Sequence, residues 1–284
     1  MRIVDLLKKA FIGGIWAVGY REREKHKYNI IPLSSGWIAD PFLFEYQDEH
    51  YLFAEYVSGK KGEIAYFKFI DNEPVFQKVV ISEPYHLSYP CVFTHGADVY
   101  MIPESADNHS IDLYKAISFP NKWVKVSQLA KGIYYDTTYV NYQGKDYFFT
   151  YSPKIRCFEL SIFQFDVDAR KAKKIAEIQY KKNLGRPAGR LYIEDGKLVR
   201  PAQDCSRKYG ENLFFYKVEG LNDGKISETL IRTISAKETD NRYQRIHTYN
   251  RDSVYETVDF FKEQFQLLRP FRLMVKIAKQ RFNL

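Results

Sequence analysis

The sequence predicts an all-β chain folded as a single five-bladed β-propeller with short flanking amphipathic helices. Three observations predict it. Aromatic-rich hairpins of one design recur: WIADPFLFEYQDEHYLFAEY (37–56), LSYPCVFTHGADVYMIPES (87–105), YYDTTYVNYQGKDYFFTYS (134–152) and GRPAGRLYIEDGKLVRPAQD (185–204). Within each, two positions 15 residues apart are expected to face each other across the turn: Asp40 and Glu55, Tyr89 and Glu104, Asp136 and Tyr151, Ala188 and Gln203. The units repeat every 47 to 52 residues. Hairpins with turn signals at such a period are the mark of propeller blades. Four clear units and a degenerate closing one make five blades.

Taken in order, residues 1–12 read as an amphipathic helix, with Ile3, Val4, Leu7 and Phe11 opposite Lys8 and Lys9. Ile15–Tyr20 reads as a strand placed to complete the last blade, which closes the ring without a free edge. The first hairpin turns between Gln47 and Asp48, the second at Gly96, the third at Gly144 and the fourth at Asp195-Gly196. Two further strands follow each hairpin: 62–70 and 73–81, 111–120 and 122–130, 160–168 and 173–180, 211–221 and 227–235. The fifth blade, 243–261, has no legible inner turn. The propeller is assigned to 13–262. From 263 to 284 the chain becomes a basic amphipathic tail carrying Arg269, Arg272, Lys276, Lys279 and Arg281, broken at Pro270. Such a tail suits an anionic membrane surface or docking beneath the ring.

Composition bounds the function. The 23 Tyr and 21 Phe fit a chain made of strands. A net charge of +8 favours an anionic partner. No nucleic-acid-binding signature is present, so nucleic acid is not expected. Three cysteines at unrelated spacings suggest a reducing compartment without disulfides. The N-terminus lacks a secretory pattern, and the expected location is cytoplasmic, peripheral on the inner face of the membrane. No phosphate loop, dinucleotide fingerprint or metal-binding His pair occurs, so neither cofactor nor metal is expected.

In a propeller the inner hairpins line a central funnel, and equivalent positions ring one mouth. Asp40, Glu55, Tyr89, Glu104, Asp136, Tyr151, Gln203 and Asp204 should therefore converge. Carboxylates gathered in a partly dry site split their pKa values, which separates an acid from a base or nucleophile. Acids at strand ends also cap turns and hold a neighbouring blade's amides, which is the plainer use for any one of them. Arg186, Arg190 and Arg200 are expected at the same mouth, offering planar forks for phosphate or carboxylate. His247 is a candidate ligand for a sugar hydroxyl or phosphate, and Trp37, Tyr89, Tyr135 and Tyr151 are candidates to stack on a sugar.

WIADPF, SYPCVF with YMIPES, YDTT, RPAGRLY and RPAQDCSRKYG together resemble the N-terminal-type domain named after plant glucosamine inositolphosphorylceramide transferase, over Trp16 to Asp259. Bacterial relatives of that domain are often associated with surface-polysaccharide genes. It is similar in turn to the five-bladed propellers of glycoside hydrolase family 43 and the invertase-like clan. The resemblance implies Asp40 as base or nucleophile, Glu104 as general acid and Asp136 as the third carboxylate. The sequence departs from the hydrolase pattern at Tyr89-Pro90, where Asp-Pro is expected. The reading is a carbohydrate-active enzyme, a glycosyltransferase of cell-surface polysaccharide assembly taking a sugar-nucleotide or lipid-linked sugar. The alternatives are a family 43-like glycoside hydrolase and a non-catalytic glycan-binding propeller.

Overall fold

The computed structural model describes residues 12–265. The N-terminal helix expected over 1–12 and nearly all of the basic tail lie outside the described residues. Five antiparallel sheets form the blades of a propeller. Strands β1 (Ile12–Glu22) and β2 (Asn29–Ile30) come first in the chain but belong to the last blade. The first blade is β3 (Trp37–Tyr46), β4 (Glu49–Val57), β5 (Glu63–Ile70) and β6 (Glu73–Ile81). The second is β7 (Ser88–His95), β8 (Asp98–Ser105), β9 (Ser110–Ser118) and β10 (Lys122–Lys131). The third is β11 (Tyr135–Tyr142), β12 (Lys145–Pro153), β13 (Phe158–Asp166) and β14 (Lys171–Tyr180).

The fourth blade splits its inner strand into β15 (Leu184–Pro187) and β16 (Tyr192–Glu194), both paired with β17 (Lys197–Asp204), and adds β18 (Asn212–Glu219) and β19 (Ser227–Ser235). The fifth is built from β20 (Arg245–Arg251) and β21 (Tyr255–Phe265), with β1 zipped along β21 from Ile12↔Phe265 to Glu22↔Tyr255. Its inner turn, illegible in the sequence, is an Asp turn: Asp252 Oδ1 accepts from the Val254 and Tyr255 amides at 2.8 and 2.6 Å. The first and last strands of the ring thus share one sheet, which removes two edges. Among the described residues the α-helical content is α1 (Ala236–Thr239), a single turn closed by a Ser235/Glu238 capping box. No described helix is long and apolar enough to cross a membrane.

Local chemistry explains the hairpins. Gln47-Asp48, Gln143-Gly144 and Asp195-Gly196 all take positive φ, the conformation a two-residue turn needs to match strand twist. At the second hairpin Gly96 supplies the positive φ in first position. Inner strands are buried on both faces: Ile38 to Phe44 are all buried in β3, whereas β10 and β14 are largely exposed or half-exposed. Continuous apolar runs therefore mark inner strands, because neighbouring blades cover both of their sides. Phe42, Phe53, Tyr89, Phe148 and their neighbours join blades one to three in one apolar core. Each such ring contributes about 1.5–3 kcal/mol by leaving water.

Candidate active site at the carboxylate mouth

The site is built on a bulge repeated around the ring. In the first three blades two inner-strand residues face one partner: Asp40-Pro41, Tyr89-Pro90 and Asp136-Thr137. The leading residue of each takes positive φ, at 51°, 46° and 52°. Side chains rarely adopt this backbone, and the bulge turns each one out of the ladder toward the axis. His247-Thr248 occupies the same register in blade five, facing Asp259. The bulge corrects the expected pairing by one residue in three blades: Glu55, Glu104 and Tyr151 lie opposite Ala39, Ser88 and Tyr135. In blade four Gln203 lies opposite Arg186 rather than Ala188. Hairpin arithmetic counts residues evenly and cannot see an inserted one.

One side of the mouth is organised by His247. Its Nε2 lies 3.3 Å from Asp40 Oδ1 and its Nδ1 2.7 Å from Asp259 Oδ1, the latter a close ion contact off the line of a good hydrogen bond. Trp16 of the closing strand stacks on the imidazole, centroids 3.9 Å apart. Asp259 is a backbone pin: it accepts from the amides of His247 (3.1 Å), Thr248 (2.9 Å) and Asp40 (3.0 Å). The Thr248 hydroxyl donates to Asp40 Oδ1 at 2.8 Å. Burial pushes the Asp40 carboxyl up to about 7; His247 opposes this, while Asp136, Glu55 and Asp259 add to it. Burial pulls His247 down, but Asp259 and Asp40 outweigh it and raise its pKa overall. Potential ligand atoms of Asp40, His247 and Asp259 lie within 4.8 Å of one another, a spacing a cation would fit. When protonated, the His247 imidazole supplies positive charge at the same place.

The other side is organised by Arg186. Its Nε and Nη2 grip both oxygens of Asp136, and Nη2 also donates to Glu104 Oε2 at 3.2 Å. Gln203 Nε2 donates to Asp136 Oδ2 at 2.7 Å, and the Asp136 amide donates to Glu104 Oε2 at 3.3 Å. Tyr135 and Tyr209 lie against the guanidinium at 4.7 and 5.3 Å. Burial lifts Glu104 well above the usual carboxylate range; Asp136 raises it further, and Arg186 only partly offsets them. Tyr209 is 41% exposed along its ring. Its hydroxyl pKa is raised, first by burial; Arg186 opposes this, while Asp40, Asp136 and Glu104 add to it. Two carboxyl groups with raised pKa values thus lie near Asp136, which is paired with a guanidinium, the kind of arrangement acid–base chemistry uses.

The other expected residues fall into different places. Arg200 is a correction: it is fully buried, forked onto Glu228 and donating to Gly185 O and Tyr180, so it is a cross-strand brace. Arg190 is a second correction: its Nη2 donates to Leu43 O (3.1 Å) and Val92 O (2.8 Å), toward the turn ends of the inner strands. Asp204 caps a turn, accepting from Ser206 N and Oγ and from Asn212; burial raises its pKa, but these bonds lower it overall. Tyr151 is buried with its hydroxyl on Asn183, and Tyr89 is buried with its hydroxyl accepting from the Gly189 amide at 2.6 Å. Neither is a stacking surface for a sugar. Glu55 meets His86 Nε2 at 3.0 Å, and Trp37 sits half-exposed at the start of β3. Sequence reasoning missed Asp259, Trp16, Tyr209 and His86. Asp259 carried a signal, being the one acid inside the apolar run Thr257–Phe261.

Residues 27–254 match the family described as Glucosamine inositolphosphorylceramide transferase 1, N-terminal. The chain belongs to that family. It is 33% identical over 206 residues to glucosamine inositolphosphorylceramide transferase 1 of Oryza sativa subsp. japonica, covering 68% of this chain and 28% of the rice protein. The Arabidopsis thaliana protein of that name is 31% identical over 208 residues, covering 69% of this chain and 27% of the relative. The chain therefore spans little more than a quarter of these transferases. In fold it is similar to a thermostable family-43 glycoside hydrolase, with TM-score 0.63 at 14% identity over 83% of this chain and 92% of that one. A family 32 beta-fructofuranosidase of Bombyx mori gives TM-score 0.59 at 12% identity, covering 86% of this chain and 56% of the other. These likenesses establish the five-bladed propeller.

Proposed function

We propose that this member of the transferase N-terminal family is a carbohydrate-active enzyme that transfers a glycosyl group at the carboxylate mouth, in the assembly of a surface polysaccharide. The observation that carries the reading is the convergence of Asp40, Glu104 and Asp136, from three blades, around Arg186 and His247. Glu104, its pKa raised by burial and by Asp136, serves as the acid that protonates the departing oxygen. Asp40, with a pKa near 7, acts as base toward an acceptor hydroxyl or as nucleophile toward the anomeric carbon. Asp136, gripped by Arg186 and Gln203, is the third carboxylate of the mouth and adds to the rise of the Glu104 pKa. The names of the plant relatives support transfer to an acceptor. A sugar-nucleotide or lipid-linked sugar is the proposed donor.

One observation favours hydrolysis instead. Of the three arginines expected to hold a donor phosphate, only Arg186 reaches this mouth, and it is already paired with two acids. The test is a panel of UDP-, GDP- and CMP-sugars and aryl glycosides scored for melting shift and turnover. Transfer requires a donor that raises Tm and is consumed only with an acceptor, with turnover lost in Glu104→Gln. Turnover of an aryl glycoside with no response to any nucleotide sugar replaces transfer by hydrolysis. Binding that persists unchanged in Asp40→Asn and Glu104→Gln, with no turnover anywhere, leaves a glycan-binding propeller.

A further inference from the structure

The axial channel has a second chamber, at the end away from the carboxylates. Asp40 lies near the start of β3 and Leu43 to Glu45 near its turn, roughly 13 Å further along at 3.3 Å per residue. Segment 188–191, which joins β15 to β16, crosses between the two levels. Gly189 donates its amide to Tyr89, the Arg190 amide donates to Asn250 Oδ1 at 2.9 Å, and Asn250 Nδ2 donates to Pro41 O at 2.6 Å. A Cβ at Gly189 would sit 1.9 Å from Tyr249 O, so only glycine lets the chain pass this closely. Below this bar is a cavity of about 410 Å³ whose walls include Leu43, Phe44, Val92, Phe93, Tyr139 and Leu191, with Thr94 at the rim.

The Arg190 side chain lines this cavity without a direct ion pair, although Glu45 and Asp252 line the same cavity. Both Nη2 protons go to backbone carbonyls, and among the described residues Nε and Nη1 have no hydrogen-bond partner and no carboxylate lies within ion-pair distance of the guanidinium. Other charges around the cavity are engaged: Arg251 with Glu194 at 2.9 Å, Asp252 with His50 at 2.8 Å and Glu45 with Ser253 at 2.5 Å. Burial pulls the Arg190 pKa down, and Cys91, Asp252 and Tyr139 only partly offset it. Arg186, by contrast, has two acids in contact, and the fully buried Arg200 has Glu228. A half-buried guanidinium with spare donors is an incomplete ion pair, and an oxyanion completes it.

We propose that the lower chamber is a binding site for a small oxyanion-bearing sugar, one oxygen of its carboxylate or phosphate accepting from Arg190 Nη1 and its body against the apolar walls. The site is separate from the carboxylate mouth and does not depend on which reaction occurs there. Calorimetric titration with inorganic phosphate, glucose 1-phosphate, glucuronate and neutral glucose tests it. The expected result is saturable binding of at least one anion and none of glucose, with glucuronate against glucose 1-phosphate deciding between carboxylate and phosphate. Binding should weaken roughly tenfold or more in Arg190→Gln, as for loss of a charged hydrogen bond. Arg190 also braces two carbonyls, so a second variant is needed. Thr94→Trp, at an exposed rim position, should obstruct the chamber and weaken binding without touching those bonds. Binding retained in both variants, binding lost instead in Arg186→Gln, or no anion binding to the folded wild-type chain would each overturn the site.

Discussion

The two sides of the carboxylate mouth answer one problem, burying acids, with different cations. On one side Arg186, charged at every working pH, grips Asp136 and Glu104. On the other His247, whose charge depends on pH, lies between Asp40 and Asp259. The arginine side is a fixed electrostatic frame. The histidine side is titratable, and Asp40, the acid proposed as base or nucleophile, sits there with a pKa near 7.

The largest expected effect comes from breaking the fixed side. Arg186→Met leaves Asp136 and Glu104 buried without their cation and should cost about 3–5 kcal/mol at pH 7.5, read by denaturant unfolding, together with all activity. Arg200→Met should cost a similar amount by stranding Glu228, yet the folded fraction should keep full activity and ligand affinity. Equal loss of specific activity in both variants would erase the distinction between frame and brace.

On the titratable side the sign reverses. Asp40 in the folded chain binds a proton up to about pH 7, against an ordinary value of 3.8, so the folded state holds the extra proton between those limits. Its favourable contribution is complete below about pH 4 and lost as pH rises through 7. Asp40→Asn should therefore stabilise the protein by roughly 2–4 kcal/mol at pH 8 and by little at pH 4, while abolishing turnover. A gain that does not grow with pH would contradict the buried, proton-holding carboxyl.

His247→Gln should act more weakly. The folded imidazole has a raised pKa, so its stabilisation is full below 6.5 and lost as pH rises through the folded value. The deficit, about 1–2 kcal/mol at pH 5.5, should shrink by pH 8.5. The smallest effect belongs to Trp37→Ala: at a half-exposed strand start it should move stability by less than about 1 kcal/mol. If the indole stacks on sugar, affinity falls severalfold while Tm holds. Unchanged affinity removes Trp37 from the site.

The contrast between Arg186 and Arg200 also shows where sequence reading stops. Both sit in Arg-Pro-Ala, 14 residues apart and in the same blade, and local sequence treats them alike. Arg186 lies beside the bulge at Gly185 and reaches the axis; Arg200 lies on β17 and turns to β19. The partner Glu228 is 28 residues away and belongs to a strand whose own pattern reveals nothing of the pairing. Tyr89 tells the same story: its place in the second inner hairpin was legible, but its hydroxyl serves Gly189, 100 residues on.

The sequence by itself determined the hairpins, their turns, the blade period and the closing role of the first strand. Those rest on contacts between near neighbours and on an apolar alternation that any reader of the chain can see. Only the tertiary structure decided the bulge register, the partners of each arginine, the pinning of the Asp40 backbone by Asp259, and the bar that divides the channel. Each of these depends on which groups distant in sequence meet in a dry interior, where an unpaired charge or amide is costly and every donor must find an acceptor.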